Sequence, residues 1–142
     1  MATVHDVASY ILMKHGPISA MKLQKLVYYC QAWSLVWDEK PLFAARIEAW
    51  VNGPVVPSLY NKHKGQFEIT EWVWGNPQSL NKDQIETIDA VLAFYGPKTA
   101  QWLSDLTHRE QPWRSARAGL DDGERGANEI TLASLHEYYS SL

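Results

Sequence analysis

Residues 49–60, with the sequence AWVNGPVVPSLY, constrain the fold of this chain more than any other segment of similar length. Gly53 permits a positive φ angle, and Pro54 fixes its own φ at about −65° while excluding Gly53 from the α region. Pro57 is placed to open a helix. The pattern predicts a shaped corner between large apolar side chains and not a flexible spacer.

Capping residues, together with apolar residues at helical spacing, predict most of the remaining chain. Thr3 and Asp6 fit a capping box at the start of a first helix. Ser19 can cap a second, longer helix with a wide apolar face, which we expect to be the core helix. Further helices are expected at four places: from Asn81 to Gly96, from Thr99 to His108, from Pro112 onward and from Leu132 to about Ser140.

Two segments rich in β-branched and aromatic residues predict short strands, from Arg46 to Val51 and from Ile69 to Trp74, which we expect to pair with each other. In such a strand Trp72 and Trp74 would face one side of the sheet. This pair is the leading candidate for exposed aromatic surface.

The organisation of the chain indicates one domain. Residues 119–128 are polar and glycine-containing and predict an exposed loop, but no repeat, low-complexity tract or long linker divides the chain. The expected fold is therefore mainly α, a compact single-domain helical bundle over residues 1–142 with one small two-stranded β element.

Composition points to the reducing cytoplasm. The single cysteine, Cys30, cannot form an intramolecular disulfide, and the first residues lack the basic start and apolar run of a secretory signal. No apolar run approaches the roughly 20 residues that span a bilayer. A net charge of −3 disfavours non-specific binding to nucleic acid. A local basic patch remains open at two places: around Lys14, Lys22 and Lys25, or around Lys62, His63 and Lys64.

The histidines do not suggest a metal or cofactor site, because no His-x-x-x-His or Cys-x-x-Cys spacing occurs. His108 with Asp105 could form an acid–base pair beside Ser104 on one helix. The sequence offers no oxyanion or phosphate cradle to accompany that pair, and we expect no enzyme.

The structural alternative for His108 is a helix junction. The imidazole ring can bond Asp105 or a backbone carbonyl while Pro112 and Trp113 cover it, and Thr107 can bond a carbonyl one turn earlier. We expect Trp113 to be buried there.

Three ordered segments carry a family resemblance: the Lys25-Leu26-Tyr28-Tyr29 helix, the Ala49-Trp50 to Tyr60 corner, and Leu103 to Trp113 with Thr107, His108 and Pro112. The resemblance that they carry covers nearly the whole chain. The chain resembles the Panacea domain of SocA-like antitoxins, also described as phage-associated GepA-like proteins. The resemblance implies an antitoxin that neutralises a cognate protein toxin by direct, stoichiometric protein–protein binding.

The candidate partner-binding residues are Lys25, Tyr28, Tyr29, Trp50, Asn52, Tyr60, Trp72 and Trp74. The residues expected to build the motifs are Gly53, Pro54, Pro57, Thr107, His108, Pro112 and Trp113. Each binding candidate has a structural alternative. Lys25, in particular, is expected at the polar edge of the core helix with its ammonium in water.

Other functions stay open beside the antitoxin role. An adaptor would hand the toxin to a protease, and an autoregulator would bind promoter DNA, although no helix-turn-helix with a basic recognition helix is evident. Exposed tryptophans could also serve a homodimer. An enzyme is the third alternative.

Overall fold

A computed structural model describes residues 2–142, in which seven α-helices and five short strands alternate. The helices are α1 (Val4–His15), α2 (Ala20–Trp37), α3 (Pro57–His63), α4 (Lys82–Tyr95), α5 (Ala100–Arg109), α6 (Gln111–Ala116) and α7 (Leu132–Ser140). The strands are β1 (Ile18–Ser19), β2 (Ile47–Trp50), β3 (Gly53–Val55), β4 (Glu68–Ile69) and β5 (Glu129–Ile130). The mainly α prediction is confirmed, and so are the predicted helix-capping residues Thr3, Ser19 and Asn81. Thr99, predicted only as the start of a helix, is also an N-cap, that of α5.

Helix α2 is the centre of the molecule. It packs against α1, α4, α5 and α7 and also against β3. Every residue from Leu23 to Ala32 is buried. Because neighbours cover it on all sides, its polar side chains lie inside the protein and must find partners there.

The β structure differs from the prediction. Strand β2 forms where expected, but it pairs with β3 and β5 in a three-stranded antiparallel sheet, while β1 pairs with β4 in a second, two-stranded sheet. Two small sheets therefore replace the single predicted element. The reason is local: the turn at Gly53 brings the chain straight back along β2, so the nearest residues in sequence take the pairing edge.

The predicted strand through Trp72 and Trp74 is wrong. These residues lie in a turn held against the start of α1, where the Asn76 N–H donates to Asp6 Oδ1 at 2.8 Å and the Trp72 indole N–H meets His5 Nδ1 at 3.2 Å. Trp72 is only 5% exposed, whereas Trp74 is 45% exposed. The predicted exposed pair is therefore a single exposed tryptophan.

A buried polar cluster joins α2 to the later helices. Glu110, between α5 and α6, accepts hydrogen bonds from the hydroxyls of Tyr29 and Tyr139, both at 2.7 Å. The Tyr28 and Tyr139 hydroxyls lie 3.0 Å apart. Burial raises the pKa of Glu110, although both tyrosine bonds act against that rise. The cluster fixes α7 and the α5–α6 junction against the same turn of α2.

Residues 119–128 form the exposed loop that the sequence predicts, and Arg117 anchors it. The guanidinium of this buried arginine donates to the Ala49 carbonyl at 3.2 Å and to the carbonyls of Asp121 and Glu124. One side chain thus ties the loop to strand β2.

We predict that Arg117→Met destabilises the protein by about 2–4 kcal/mol, because several carbonyl groups lose a charged donor. Trypsin should then cut faster at Arg125 within the loop, measured as the rate of limited proteolysis alongside urea unfolding. Arg114→Met is the matched control, because Arg114 is exposed. Equal behaviour of the two variants would contradict the anchoring role.

Candidate functional site

The corner between β2 and α3 has the geometry that its glycine and prolines predict. Gly53 has a φ of +125°, and Pro57 occupies the first turn of α3. A Cβ atom on Gly53 would lie 2.6 Å from Lys25 Cε and 3.2 Å from Thr107 Oγ1. Glycine is needed here both for its backbone angle and for the close approach of α2 and α5.

Side chains after the corner hold its backbone from one side. Three donors reach three carbonyls of the β2–β3 hairpin: Arg117 to Ala49 at 3.2 Å, the Trp113 indole to Trp50 at 2.8 Å, and Ser104 Oγ to Asn52 at 2.8 Å. We call this set the carbonyl clamp. It joins α5, α6 and the residue after α6 to the corner.

Gln24 of α2 holds the corner from the opposite side. Its Oε1 accepts from the Val56 N–H at 2.9 Å, and its Nε2 donates to the Val56 carbonyl at 3.3 Å. Nε2 also lies 3.0 Å from Nε2 of the buried His63. Burial lowers the pKa of His63, so the neutral ring can accept this bond.

The junction around His108 forms only partly as predicted. The His108 ring stacks on Trp113 with ring centroids 4.1 Å apart, and Thr107 Oγ1 donates to the Ser104 carbonyl at 2.7 Å, as predicted. Asp105 does not bond His108 but accepts from Gln101, because its side chain lies on the exposed face of α5. Trp113 is partly buried. Burial lowers the pKa of His108, and the nearby Lys25 charge acts in the same direction.

A pocket of about 550 Å³ opens beside the corner. Four of the eight candidate partner-binding residues line it: Lys25, Trp50, Asn52 and Tyr60. Trp50 and Tyr60 meet edge to face with ring centroids 4.9 Å apart. The remaining walls come from the start of α2, from Val51, Val55 and His63, and from loop residues Arg125, Gly126 and Ala127.

Lys25 lies at the inner end of this pocket. Its side chain is 2% exposed, and no hydrogen bond or ion pair joins its ammonium to any of residues 2–142. Burial lowers its pKa from 10.5 to about 8. The expectation that Lys25 keeps its ammonium in water at the edge of the helix is wrong, because the corner and α5 cover that face of α2.

The other candidates lie elsewhere. Tyr28 and Tyr29 are buried in the Glu110 cluster, 1% and 0% exposed, and have no surface to offer a partner in this structure. Trp72 and Trp74 do not line the pocket. Their ring centroids lie 5.1 Å apart, and the Lys62 ammonium lies 5.5 Å from the centroid of the Trp74 ring. Trp72 borders the pocket from outside, with its ring centroid 6.3 Å from that of the lining residue His63.

Sequence reasoning missed several residues of the site: Gln24, His63, Ser104, Arg117 and Arg125. The role of Gln24 could have been predicted, because a side-chain amide among the apolar residues of a core helix needs buried hydrogen-bond partners. No pattern indicated Arg117 or Arg125, because arginine is common in exposed segments.

At each of the two places where the sequence left a basic patch open, one of the three side chains is buried and adds nothing to a basic surface. Lys25 is buried, and Lys22 donates to the Gly96 carbonyl. In the second group His63 is buried, with its pKa lowered by burial. Within residues 2–142 no group of three or more metal-ligating side chains comes together, and no helix is long and apolar enough to cross a bilayer.

Comparison with known proteins gives one match. The family described as antitoxin SocA-like, Panacea domain, matches residues 23–114, well over half of the chain. This range contains α2 from Leu23 onward, including Lys25, and also the corner and Trp113. No curated protein and no solved structure matches the chain.

Gly53→Ala should destabilise the protein by about 2–4 kcal/mol, because backbone strain of about 1–3 kcal/mol is added to displacement of Lys25. Gly65→Ala is the control. Gly65 also has a positive φ, +86°, but a Cβ there meets no atom within 4 Å. Gly65→Ala should lower the free energy of unfolding, measured in urea, by a smaller amount, about 1–2 kcal/mol. If Gly53→Ala destabilises the protein no more than Gly65→Ala does, the close approach of Lys25 and Thr107 to Gly53 is refuted.

Lys25→Met should stabilise the protein at pH 7. The pKa of Lys25 is about 8 in the folded protein, and its ordinary value of 10.5 applies to the unfolded chain. The charged ammonium therefore opposes folding fully below pH 8, and this destabilisation decreases as the pH rises towards 10.5. The expected gain is about 3 kcal/mol at pH 7 and about 1 kcal/mol at pH 10. Urea unfolding at both pH values measures it, with the exposed Lys62→Met as control. A destabilised or pH-independent Lys25→Met would disagree with a buried, unpartnered ammonium.

Proposed function

The chain belongs to the family of SocA-like antitoxins with a Panacea domain, and from that premise we propose that it is an antitoxin, which neutralises a cognate protein toxin by direct, stoichiometric binding. The observation that supports this most directly is the gathering of Lys25, Trp50, Asn52 and Tyr60 around one pocket. The proposed action needs no catalysis and no cofactor, and its proposed location is the cytoplasm.

The proposed toxin-binding face is the mouth of this pocket. Asn52 and Arg125 are exposed, and Trp50 and Tyr60 are partly buried, so aromatic edges are available without loss of the hydrogen bonds behind them. The carbonyl clamp and Gln24 fix the backbone of this face. A preordered surface loses less entropy on binding than a flexible one, and rigid aromatic residues are common binding hot spots.

Folded surface, and not a disordered arm, is the proposed means of contact. Helices α1 and α7 pack on α2, so the described residues near both ends of the chain belong to one body, in line with a single domain over residues 1–142. A standard interface of about 800 Å² per partner would cover roughly a tenth of the 7327 Å² surface. The loop of residues 119–128 is the segment most able to adjust.

Co-expression with the product of the neighbouring gene tests the proposal. The wild-type chain should restore growth and co-purify with the toxin in equimolar amounts. Asn52→Arg should weaken the complex at least tenfold and abolish rescue, because it adds bulk and charge at the mouth without removing the Asn52 carbonyl from Ser104. Gln78→Arg, exposed and outside the pocket lining, should behave as wild type.

The alternatives give different results. Rescue with loss of the toxin protein from the cell, reversed in a protease-deficient host, would favour an adaptor. Rescue with salt-sensitive binding to promoter DNA and no complex would favour an autoregulator. A stable complex unaffected by Asn52→Arg would leave the antitoxin role but remove the proposed face.

A further inference from the structure

The pocket has the features of a ligand site as well as those of a contact face. Its volume of about 550 Å³ lies within the range of small-molecule sites, roughly 300–1,000 Å³. Apolar and aromatic side chains form most of its walls, and few polar groups interrupt them. Such a site holds a flat or branched apolar body and uses the polar groups to orient it.

The charged residues that line this pocket have one sign, and the nearest carboxylate behind the lining, that of Glu48, already accepts from the Trp50 indole and is paired with Arg46. Lys25 lies at the inner end and Arg125 at the rim, while none of the lining residues is Asp or Glu. His63 also lines the pocket and is bonded to Gln24. In a chain of net charge −3, a pocket lined by two cations and no acid favours an anionic ligand.

Lys25 supplies the specific argument. Its side chain is 98% removed from the protein surface, lines the pocket and has no hydrogen-bond or ion-pair partner among residues 2–142. Gly53, Thr107 and His108 surround it without providing an anion. A buried ammonium costs stability unless an opposite charge meets it. The pocket is the route by which such a charge can arrive.

We propose that this pocket binds an organic carboxylate: one carboxylate group pairs with the Lys25 ammonium while an apolar or aromatic body lies against Trp50 and Tyr60. One ammonium at the inner end balances the single charge of a monocarboxylate, whereas a phosphate monoester carries a charge of about −1.5 to −2 at pH 7 and would bring uncompensated charge there. The inference goes beyond the antitoxin role and does not depend on it, since it concerns what fills the pocket.

Isothermal titration calorimetry of the full chain at pH 7 tests the site with 2-naphthylacetate and its uncharged analogue 2-naphthylacetamide. The acid should bind at least tenfold more tightly than the amide, because only the acid can form the ion pair. Lys25→Met should reduce this ratio to within threefold, and a urea unfolding curve of the variant is the check that it is folded. Lys62→Met, with the same change of net charge outside the pocket lining, should retain the wild-type ratio.

A second arm identifies the carrier of the carboxylate. The peptide Gly-Ser-Gly-Ser-Phe, with a free or an amidated C-terminus, is titrated in the same way. Preference for the free C-terminus, with an affinity tenfold above that of 2-naphthylacetate, indicates a partner's chain end; weaker or equal peptide binding indicates a free small acid.

Three results would overturn the site itself. These are no binding of any acid at millimolar concentration, equal affinity for acid and amide, or a loss of preference in Lys62→Met as large as in Lys25→Met. None of them bears on growth rescue by the wild-type chain, so failure of the carboxylate site and failure of the antitoxin role remain distinguishable.

Discussion

The carbonyl clamp is the constraint on which the rest of the structure depends. Donors from Ser104, Trp113 and Arg117 reach three carbonyls of the β2–β3 hairpin, and Gln24 holds Val56 from the other side. A short hairpin alone is marginally stable in water. Held from both sides, the hairpin becomes a fixed wall. Gln24, Ser104 and Trp113 lie within the family match over residues 23–114, and Arg117 lies just beyond it.

Fixing the hairpin against α2 destabilises the protein, because it buries the Lys25 ammonium. Gly53 allows the corner to approach α2 so closely that Lys25 lies beneath it, buried and without a hydrogen-bond or ion-pair partner in the described part of the chain, residues 2–142. A hydrophobic residue of similar length would pack there at no electrostatic cost. Groups that oppose folding are concentrated at functional sites, where their strain or charge serves binding. The corner and Lys25 therefore form one unit: the carbonyl clamp and Gln24 hold its backbone, and its lysine faces the pocket in which we propose that a ligand binds.

The helices of this fold could be predicted from residues close together in sequence. The elements that depend on contacts between distant parts of the chain could not. The capping residues Thr3, Ser19 and Asn81 mark their helices because caps act within four residues. Strand β5 and the turn at Trp72 could not be found, because both depend on contacts distant in sequence: β5 pairs with β2, and the turn binds α1. Lys25 appeared solvated for the same reason, since the segments that cover it lie far along the chain.

The central claim is that the corner buries the Lys25 amine, which has no partner among residues 2–142, at the end of an open pocket. The most direct test is to titrate this amine and to follow its side-chain ¹³Cε and ¹⁵Nζ nuclei by NMR. We expect a pKa of about 8 for this ammonium in the free protein and a higher pKa when a carboxylate occupies the pocket. A pKa of 10.5 in the free protein, unchanged by any carboxylate, would contradict it, because the amine would then be in water or already paired.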